Sequence, residues 1–352
     1  MKIRAARCWM EKLPLKRPYT IAYMTTSDTE IVFLELELEN GIRGLGAANP
    51  FEEVVGETPS DTLLHLQSGF INGLAGRDIR DFNKIIDEAY KNFPNLPGTV
   101  AAIDIAVHDA FGKFMGISVL DYYGQQIAPL ETSVTIGIKG VQETLAEAME
   151  YYKMGFRVLK VKMGLDVGED IERVTKIREA LGEHIVLQVD ANQGYSLEEL
   201  KIFLDSTAGI QIEVIEQPLM AGKEMQLRLL PEFVRKILVA DESLCGVEDA
   251  IELCREPKAF GVFNIKLMKC GGIRAAREIG MLAKQAGIDL FWGCNDESMV
   301  SITAALHAAM SCSNTRYLDL DGSFDLSRDL VEGGFLVKDG FLLPTDKPGL
   351  GI

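Results

Sequence analysis

The sequence predicts an α/β protein in which a TIM-type barrel of eight parallel strands sits beneath an α+β capping domain. Two lysines, Lys160 and Lys162, stand at alternate positions in the apolar, β-branched run Val-Leu-Lys-Val-Lys, where folding alone would place no charge. Asp190, Glu216, Asp241 and Lys266 each end a later apolar run, and from Lys162 onward these positions follow at intervals of roughly 25 to 28 residues, the length of one strand plus one helix. Charges repeating at that period fall at the same end of successive strands, the end where a closed barrel assembles its chemistry.

The capping domain is expected over residues 1–125. Residues 31–39 alternate apolar and acidic side chains, a half-buried antiparallel strand, and Asn40-Gly41 turns the chain back as a hairpin. Helical spacing follows over 61–74 and 81–93, and 99–115 is an Ala-rich helix suited to close packing. The barrel is expected over 126–321, with strands at 134–138, 158–162, 185–190, 212–216, 237–241, 261–266, 289–293 and 317–319. Helices fill the gaps at 142–154, 171–181, 197–205, irregularly around 225–233, and at 248–254, 273–286 and 299–311. An open doubly wound sheet would carry fewer such units. The tail, 322–352, with Gly333-Gly334, Pro344 and Pro348, lacks a further unit and is expected to return to the first domain.

Composition narrows the function. A chain of 352 residues with 47% apolar content is globular and too long for one ordinary core. Its net charge of −16 excludes nucleic acid and anionic membranes as partners, since neither attracts such a surface. Six scattered cysteines form no zinc-type pair and suit reduced thiols. The first residues show no signal-peptide core and no segment has the length of a membrane span, so a cytoplasmic protein is expected, and a homo-oligomer.

Because strand residues two apart share a face, Lys160 with Lys162, Gln188 with Asp190, Asn264 with Lys266 and Asp319 with Asp321 point inward near the barrel mouth. Asp190, Glu216 and Asp241 then present three hard anionic oxygens to one point, a donor set for Mg²⁺, with Mn²⁺ next. Taken singly, each acid could instead cap a helix or pair with a lysine. Lys162 and Lys266, four strands apart, face each other from opposite walls. A neighbouring cation and partial burial would lower a lysine's pKa, and two such lysines could remove a proton from one side of a carbon and return it from the other. The alternative is that they only neutralise the acids.

The motifs Lys160-Val-Lys162, Asp190-Ala-Asn192, Glu216-Gln-Pro218, Asp241-Glu-Ser243 and Lys266-Leu-Met-Lys-Cys-Gly-Gly272 resemble, in order and spacing, the signature set of the enolase superfamily, muconate-lactonizing-enzyme subgroup. The resemblance covers essentially the whole chain. It implies a modified (β/α)7β barrel with an α+β cap, Asp190, Glu216 and Asp241 as Mg²⁺ ligands, Lys162 and Lys266 as the acid/base pair, and Lys160 helping to bind a substrate carboxylate and to tune Lys162. Within that subgroup, Asp319-Leu-Asp321 is similar to the motif by which dipeptide epimerases hold the substrate ammonium, a group that N-acylated amino acids lack. A Mg²⁺-dependent dipeptide epimerase is therefore expected, inverting the α-carbon of the C-terminal residue. N-acylamino acid racemase or o-succinylbenzoate synthase activity is the enzymatic alternative, and a metal-binding scaffold barrel the non-enzymatic one.

Specificity residues are expected in the cap and at the mouth. Met24 stands where Ala-Glu epimerases carry an arginine for the glutamate side chain, which argues against glutamate. Asp296, with Glu52 or Glu53, could receive a cationic side chain, and Phe51 favours an apolar one. Segments 21–27 and 49–56 are expected to close over the mouth. Thr135 and Ser298 complete the candidate substrate contacts. His65, His108, His184 and His307 are assigned to core or surface, and Gly44-Leu-Gly-Ala-Ala-Asn49 to a turn.

Overall fold

The computed structural model describes residues 1–21 and 24–352, with side chains at all of these except 18–21 and 24–26. Met24 and part of the predicted 21–27 closure thus lie outside the described side chains. The cap opens with three antiparallel strands, β1 (Ile3–Ile21), β2 (Met24–Leu38) and β3 (Arg43–Ala48). Their inner face packs on helix residues so closely that a Cβ on Gly46 would come within 2.0 Å of the Ala102 carbonyl oxygen, which is why glycine stands there. The hairpin turns at residues 39–41 as the sequence indicates, but β1 was not foreseen, because its Arg, Lys and Glu residues obscure the alternation.

Six helices complete the cap: α1 (Glu52–Val55), α2 (Pro59–Leu66), α3 (Gly69–Asn72), α4 (Phe82–Asn92), α5 (Pro97–Met115) and α6 (Val119–Tyr123). The single helix expected over 61–74 is two, because the chain leaves the helix at Gln67 and Ser68 begins a new one. The small residues of α5 are buried along nearly its whole length, as expected of a packing helix.

The barrel follows as β4 (Val134–Ile136), α7 (Val141–Lys153), β5 (Val158–Lys162), α8 (Val167–Leu181), β6 (Val186–Asp190), α9 (Leu197–Ser206) and β7 (Ile212–Glu216). Then come α10 (Glu224–Leu227), α11 (Glu232–Arg235), β8 (Leu238–Ala240), α12 (Val247–Leu253), β9 (Val262–Ile265), α13 (Leu267–Cys270), α14 (Ile273–Gln285), β10 (Asp289–Trp292), α15 (Met299–Met310) and β11 (Thr315–Leu318). All eight strands are parallel and lie in sequence order, and the Ser133 amide donates to the Leu318 carbonyl at 2.8 Å where the first strand meets the last. Seven strands are each followed by helix and the eighth is not, which is the (β/α)7β arrangement.

After β11 the chain forms a short hairpin, β12 (Phe335–Lys338) and β13 (Phe341–Pro344), that the sequence reading did not include. The tail also touches the cap: Leu326 bridges Leu15, the Gly349 amide donates to the Ile117 carbonyl, and the Leu350 amide donates to Asp109 Oδ1. A second join comes from Asp104 on α5, fully buried, which accepts the Ile273 amide at 2.7 Å and so caps α14 of the barrel. Gly272, at φ +108°, makes room, since a Cβ there would fall 2.5 Å from Asp104 Cβ. No helix among the described residues is long and apolar enough to cross a membrane.

Asp104→Ala should therefore remove both the cap of α14 and an interdomain bond, lowering stability by about 2 kcal/mol or more. Chemical denaturation of the variant against the unmodified protein measures this.

Candidate active site

Parallel register puts the inward charges level with one another. Lys162 pairs across with Asp190 and Asp190 with Glu216, so the strand ends deliver a lysine and two acids to one layer. Asp241 follows β8 and Lys266 follows β9 at the same rim. Ligand oxygens of Asp190, Glu216 and Asp241 lie within 4.8 Å of one another, and all three residues are buried. Above them opens a cavity of about 330 Å³, to which Lys160, Lys162, Lys266, Thr135, Asp319 and Asp321 contribute from the barrel and Phe51, Glu52 and Glu53 from the cap.

Each acid is held from behind. Asp190 Oδ2 accepts from Lys162 Nζ at 2.6 Å, and Asp190 Oδ1 from the Asn192 amide at 2.9 Å. Glu216 accepts from Asn264 Nδ2 at 2.7 Å and meets Lys160 Nζ at 2.8 Å. Asp241 contacts Lys266 Nζ at 2.8 Å through Oδ2 and Lys269 Nζ through Oδ1. Burial would raise the Asp241 pKa, but those two lysines outweigh it and hold the group well below the usual range. Glu216 goes the other way, pushed up to about 8 by burial and by Asp190, because Lys160 only partly offsets them. Glu216 thus gains the least from the lysines, and a cation placed among the three acids would favour its charged form. With oxygen-only donors, and the buried Asn192 Oδ1 lacking a partner, the cluster fits a hard divalent cation.

Lys162 and Lys266 stand four strands apart in the eight-stranded order and line the same cavity. The lowered lysine pKa expected from the sequence is not what Lys266 shows. Burial lowers it, but Asp241 and Glu216 outweigh burial and keep it above its ordinary value. Lys160 is likewise held well above its ordinary value, burial being outweighed by Asp319, Glu216 and Asp190.

The two aspartates after β11 are unequal. Asp319 is engaged by Lys160 Nζ at 2.7 Å, by the Ser133 hydroxyl and, at 3.4 Å, by Thr135 Oγ1. Among the described residues the Asp321 carboxylate accepts only the Thr135 amide, at 2.8 Å, and burial with Asp319 and Asp325 nearby holds its pKa well above the usual range. Asp321 therefore keeps an open, cation-seeking oxygen in the cavity, while Asp319 anchors Lys160.

Asp296 also lines the cavity. Its backbone carbonyl is pinned by Asn49 Nδ2 at 2.8 Å and Thr29 Oγ1 at 3.2 Å, but no described residue donates to its carboxylate, which burial, Asp325 and Glu297 push up to about 7. Ser298 does not reach the cavity: fully buried, it caps α15 and donates to Asp329 Oδ1 at 2.9 Å. Arg17 pairs with Glu150 at 2.6 Å and is not among the residues that line the cavity, although its charge lowers the pKa of Asp325 at the mouth.

Three neighbours of the site were given no role from the sequence, although Gln217 and Lys269 stand within the motifs quoted above. Lys269 had a usable signal, a second lysine three residues after Lys266. Gln217 turns the chain at φ +30° and accepts the Asp241 and Ser243 amides, bracing β7 against β8. Asp325 lies in the polar tail and enters the cavity wall only because that tail docks on β1.

Residues 3–124 match the mandelate racemase/muconate lactonizing enzyme N-terminal domain, and residues 143–352 the enolase C-terminal domain-like family. The chain belongs to the enolase superfamily. Among its relatives, an L-Lys-D/L-Arg epimerase of Desulforapulum autotrophicum is 50% identical over 352 residues, covering 100% of this chain and 99% of the relative. A hydrophobic dipeptide epimerase of Enterococcus faecalis is 35% identical over 356 residues, covering 100% and 99%. The crystal structure of a Methylococcus capsulatus dipeptide epimerase complexed with Mg and L-Arg-D-Lys superposes with a TM-score of 0.98 at 47% identity, covering 100% of this chain and 99% of that one.

Two outcomes follow from the superfamily site as it is built here. Lys269→Met would leave the buried Asp241 carboxylate with Lys266 alone and cost about 3 kcal/mol of stability, read by denaturation. The raised pKa of Asp296 means that its charged form is disfavoured in the fold. That penalty is absent below the ordinary carboxylate range and complete once pH passes about 7. Asp296→Asn should therefore stabilise the protein increasingly between pH 5 and 7 and level off above, as thermal melts across that range would record.

Proposed function

We propose that this protein is a Mg²⁺-dependent dipeptide epimerase that inverts the α-carbon of the C-terminal residue and favours cationic side chains. The observation that carries this reading is that Lys162 and Lys266, four strands apart, line one cavity at the acid triad together with Asp296, to whose carboxylate no described residue donates. Asp190, Glu216 and Asp241 would hold Mg²⁺, or Mn²⁺ in its place. When bound, such a cation would supply positive charge for the substrate carboxylate, the stabilisation that so weak a carbon acid requires.

The chain's own groups supply the rest. One lysine takes the proton from its face of the α-carbon and the other returns one to the opposite face, so configuration inverts without the substrate turning over. Lys160, anchored on Asp319, adds positive charge beside the substrate carboxylate. Asp321 offers its open oxygen to the ammonium of the N-terminal residue, a preference that disfavours N-acylated substrates because a neutral amide would leave that carboxylate unpaired. Asp296, Asp325, Glu52 and Glu53 line the remaining wall and would repel a side-chain carboxylate while attracting an ammonium or guanidinium. Relatives named for Lys and Arg substrates support the same preference. Six free cysteines without a disulfide suit the reducing cytoplasm.

The test is incubation with L-Arg-L-Lys, L-Ala-L-Glu and N-acetylated L-Arg-L-Lys in D₂O. Mass gain at the C-terminal α-carbon should be fastest for the first, with kcat/KM at least tenfold or so above either alternative. Chelation should abolish exchange and added Mg²⁺ restore it. Preference for the glutamate dipeptide would refute the cationic assignment, and equal turnover of the acetylated form would refute the role of Asp321.

A further inference from the structure

Beneath Lys162 lies a buried polar cluster that the reaction does not touch. Arg173 on α8 is 2% exposed and among the largest fully buried side chains of the molecule. Its Nη1 donates to the Lys162 backbone carbonyl at 3.0 Å, and its Nη2 pairs with Asp170, one turn earlier on the same helix. Asp170, fully buried, accepts from the Gly164 amide at 3.0 Å and from the Tyr195 hydroxyl at 2.6 Å through its other oxygen. Tyr195 in turn donates its amide to the Pro218 carbonyl at 2.9 Å. The segment that follows the base is thereby tied to the loops that follow Asp190 and Glu216.

Stability does not account for this cluster. An ion pair taken out of water is often no better than apolar side chains of equal volume, and here the Arg173 Nε remains buried without a partner. What the cluster does provide is direction. β5 ends at Lys162, and at Gly164 the backbone enters φ +104°, where a Cβ would come within 2.2 Å of the Ala191 carbonyl oxygen. Between strand and turn, Arg173 holds the Lys162 carbonyl and Asp170 holds the Gly164 amide, which fixes the peptide planes on either side of Met163. Among the described residues no arginine donates to the Lys266 carbonyl, and the neighbouring support of Lys266 comes from Lys269 on Asp241 and from the short α13.

We infer that Arg173, through Asp170 and Tyr195, is a positioning residue for Lys162 alone, setting the angle from which one of the two bases meets the substrate α-carbon. This rests on the epimerase reading. Its consequence is an asymmetry between the two faces of the reaction. Loosening the Lys162 carbonyl moves one ammonium by a fraction of an ångström or more and leaves the opposite base where it was.

The experiment reads each face separately, as exchange of the C-terminal α-proton of L-Arg-L-Lys and of L-Arg-D-Lys with D₂O. Lys162→Ala identifies the epimer whose exchange depends on Lys162. Arg173→Lys keeps a cation opposite Asp170 but is too short to reach the carbonyl as well, and Arg173→Gln with Asp170→Asn removes both charges together, so that one of the two folds if the other does not. In the folded variant, exchange of that epimer should fall roughly tenfold or more, KM should change little, and exchange of the other epimer should stay within about twofold. Equal loss on both faces, or no loss on either, would overturn the assignment of Arg173. Absence of exchange of either epimer by the unmodified protein would overturn the epimerase reading and this inference with it.

Discussion

Burial of charge at the barrel mouth is the constraint on which the rest of the molecule depends. Lys160, Lys162 and Lys269, with Lys266 partly buried beside them, share one small volume with Asp190, Glu216, Asp241 and Asp319. Any one of these groups alone in that position would cost several kcal/mol, and together they are tolerable only because each reaches a partner of opposite sign. Partners meet only if the strand register is right. A slip by one residue would turn Lys160, Lys162, Gln188 and Asp190 outward and bring Leu159, Val161 and Val189 in. The interactions that select the register are therefore the same ones that assemble the chemistry.

Much of this could be read from the sequence because the charges violate a pattern. A lysine or aspartate at the end of a β-branched run stands out against its neighbours, and the recurrence of such violations at the strand-plus-helix period located Lys162, Asp190, Glu216, Asp241 and Lys266 on a common rim. Strand ends were legible to within a residue or two for the same reason. Asp325 was not, since an acid in a polar tail violates nothing and its place in the cavity depends on a docking that no local pattern encodes. Ser298 shows the reverse error: a polar residue near a strand end suggested a substrate contact, but a serine immediately before a helix is more simply its cap. Strand β1 was hidden by its exposed side chains, Arg4, Arg7, Lys12 and Lys16, which fall on both faces and interrupt the alternation.

The two domains contribute different things to one cavity. Lys162, Lys266 and the acid triad come from strand ends, which the barrel's hydrogen bonding makes rigid, whereas Phe51, Glu52 and Glu53 come from a cap loop that Asn49 fastens to the barrel through Asp296 and Asn295. Substrate choice can thus change in the loop with the chemistry left intact. Fixed docking between the domains is needed for this, and α5 provides it. Asp104 caps a barrel helix, while Asp109 accepts both the Leu45 amide of the cap sheet and the Leu350 amide of the tail, each at 2.8 Å.

That last contact has a bearing on how the chain is made. Asp109 emerges early in synthesis, yet one of its partners is the antepenultimate residue of the sequence, and Leu15 must likewise await Leu326. The first domain therefore leaves the ribosome with a buried carboxylate only partly satisfied and with the edge of its hairpin uncovered. Its final packing is deferred until the tail has been made, a long-range closure of the kind that slows folding and extends the interval during which a nascent chain depends on chaperones.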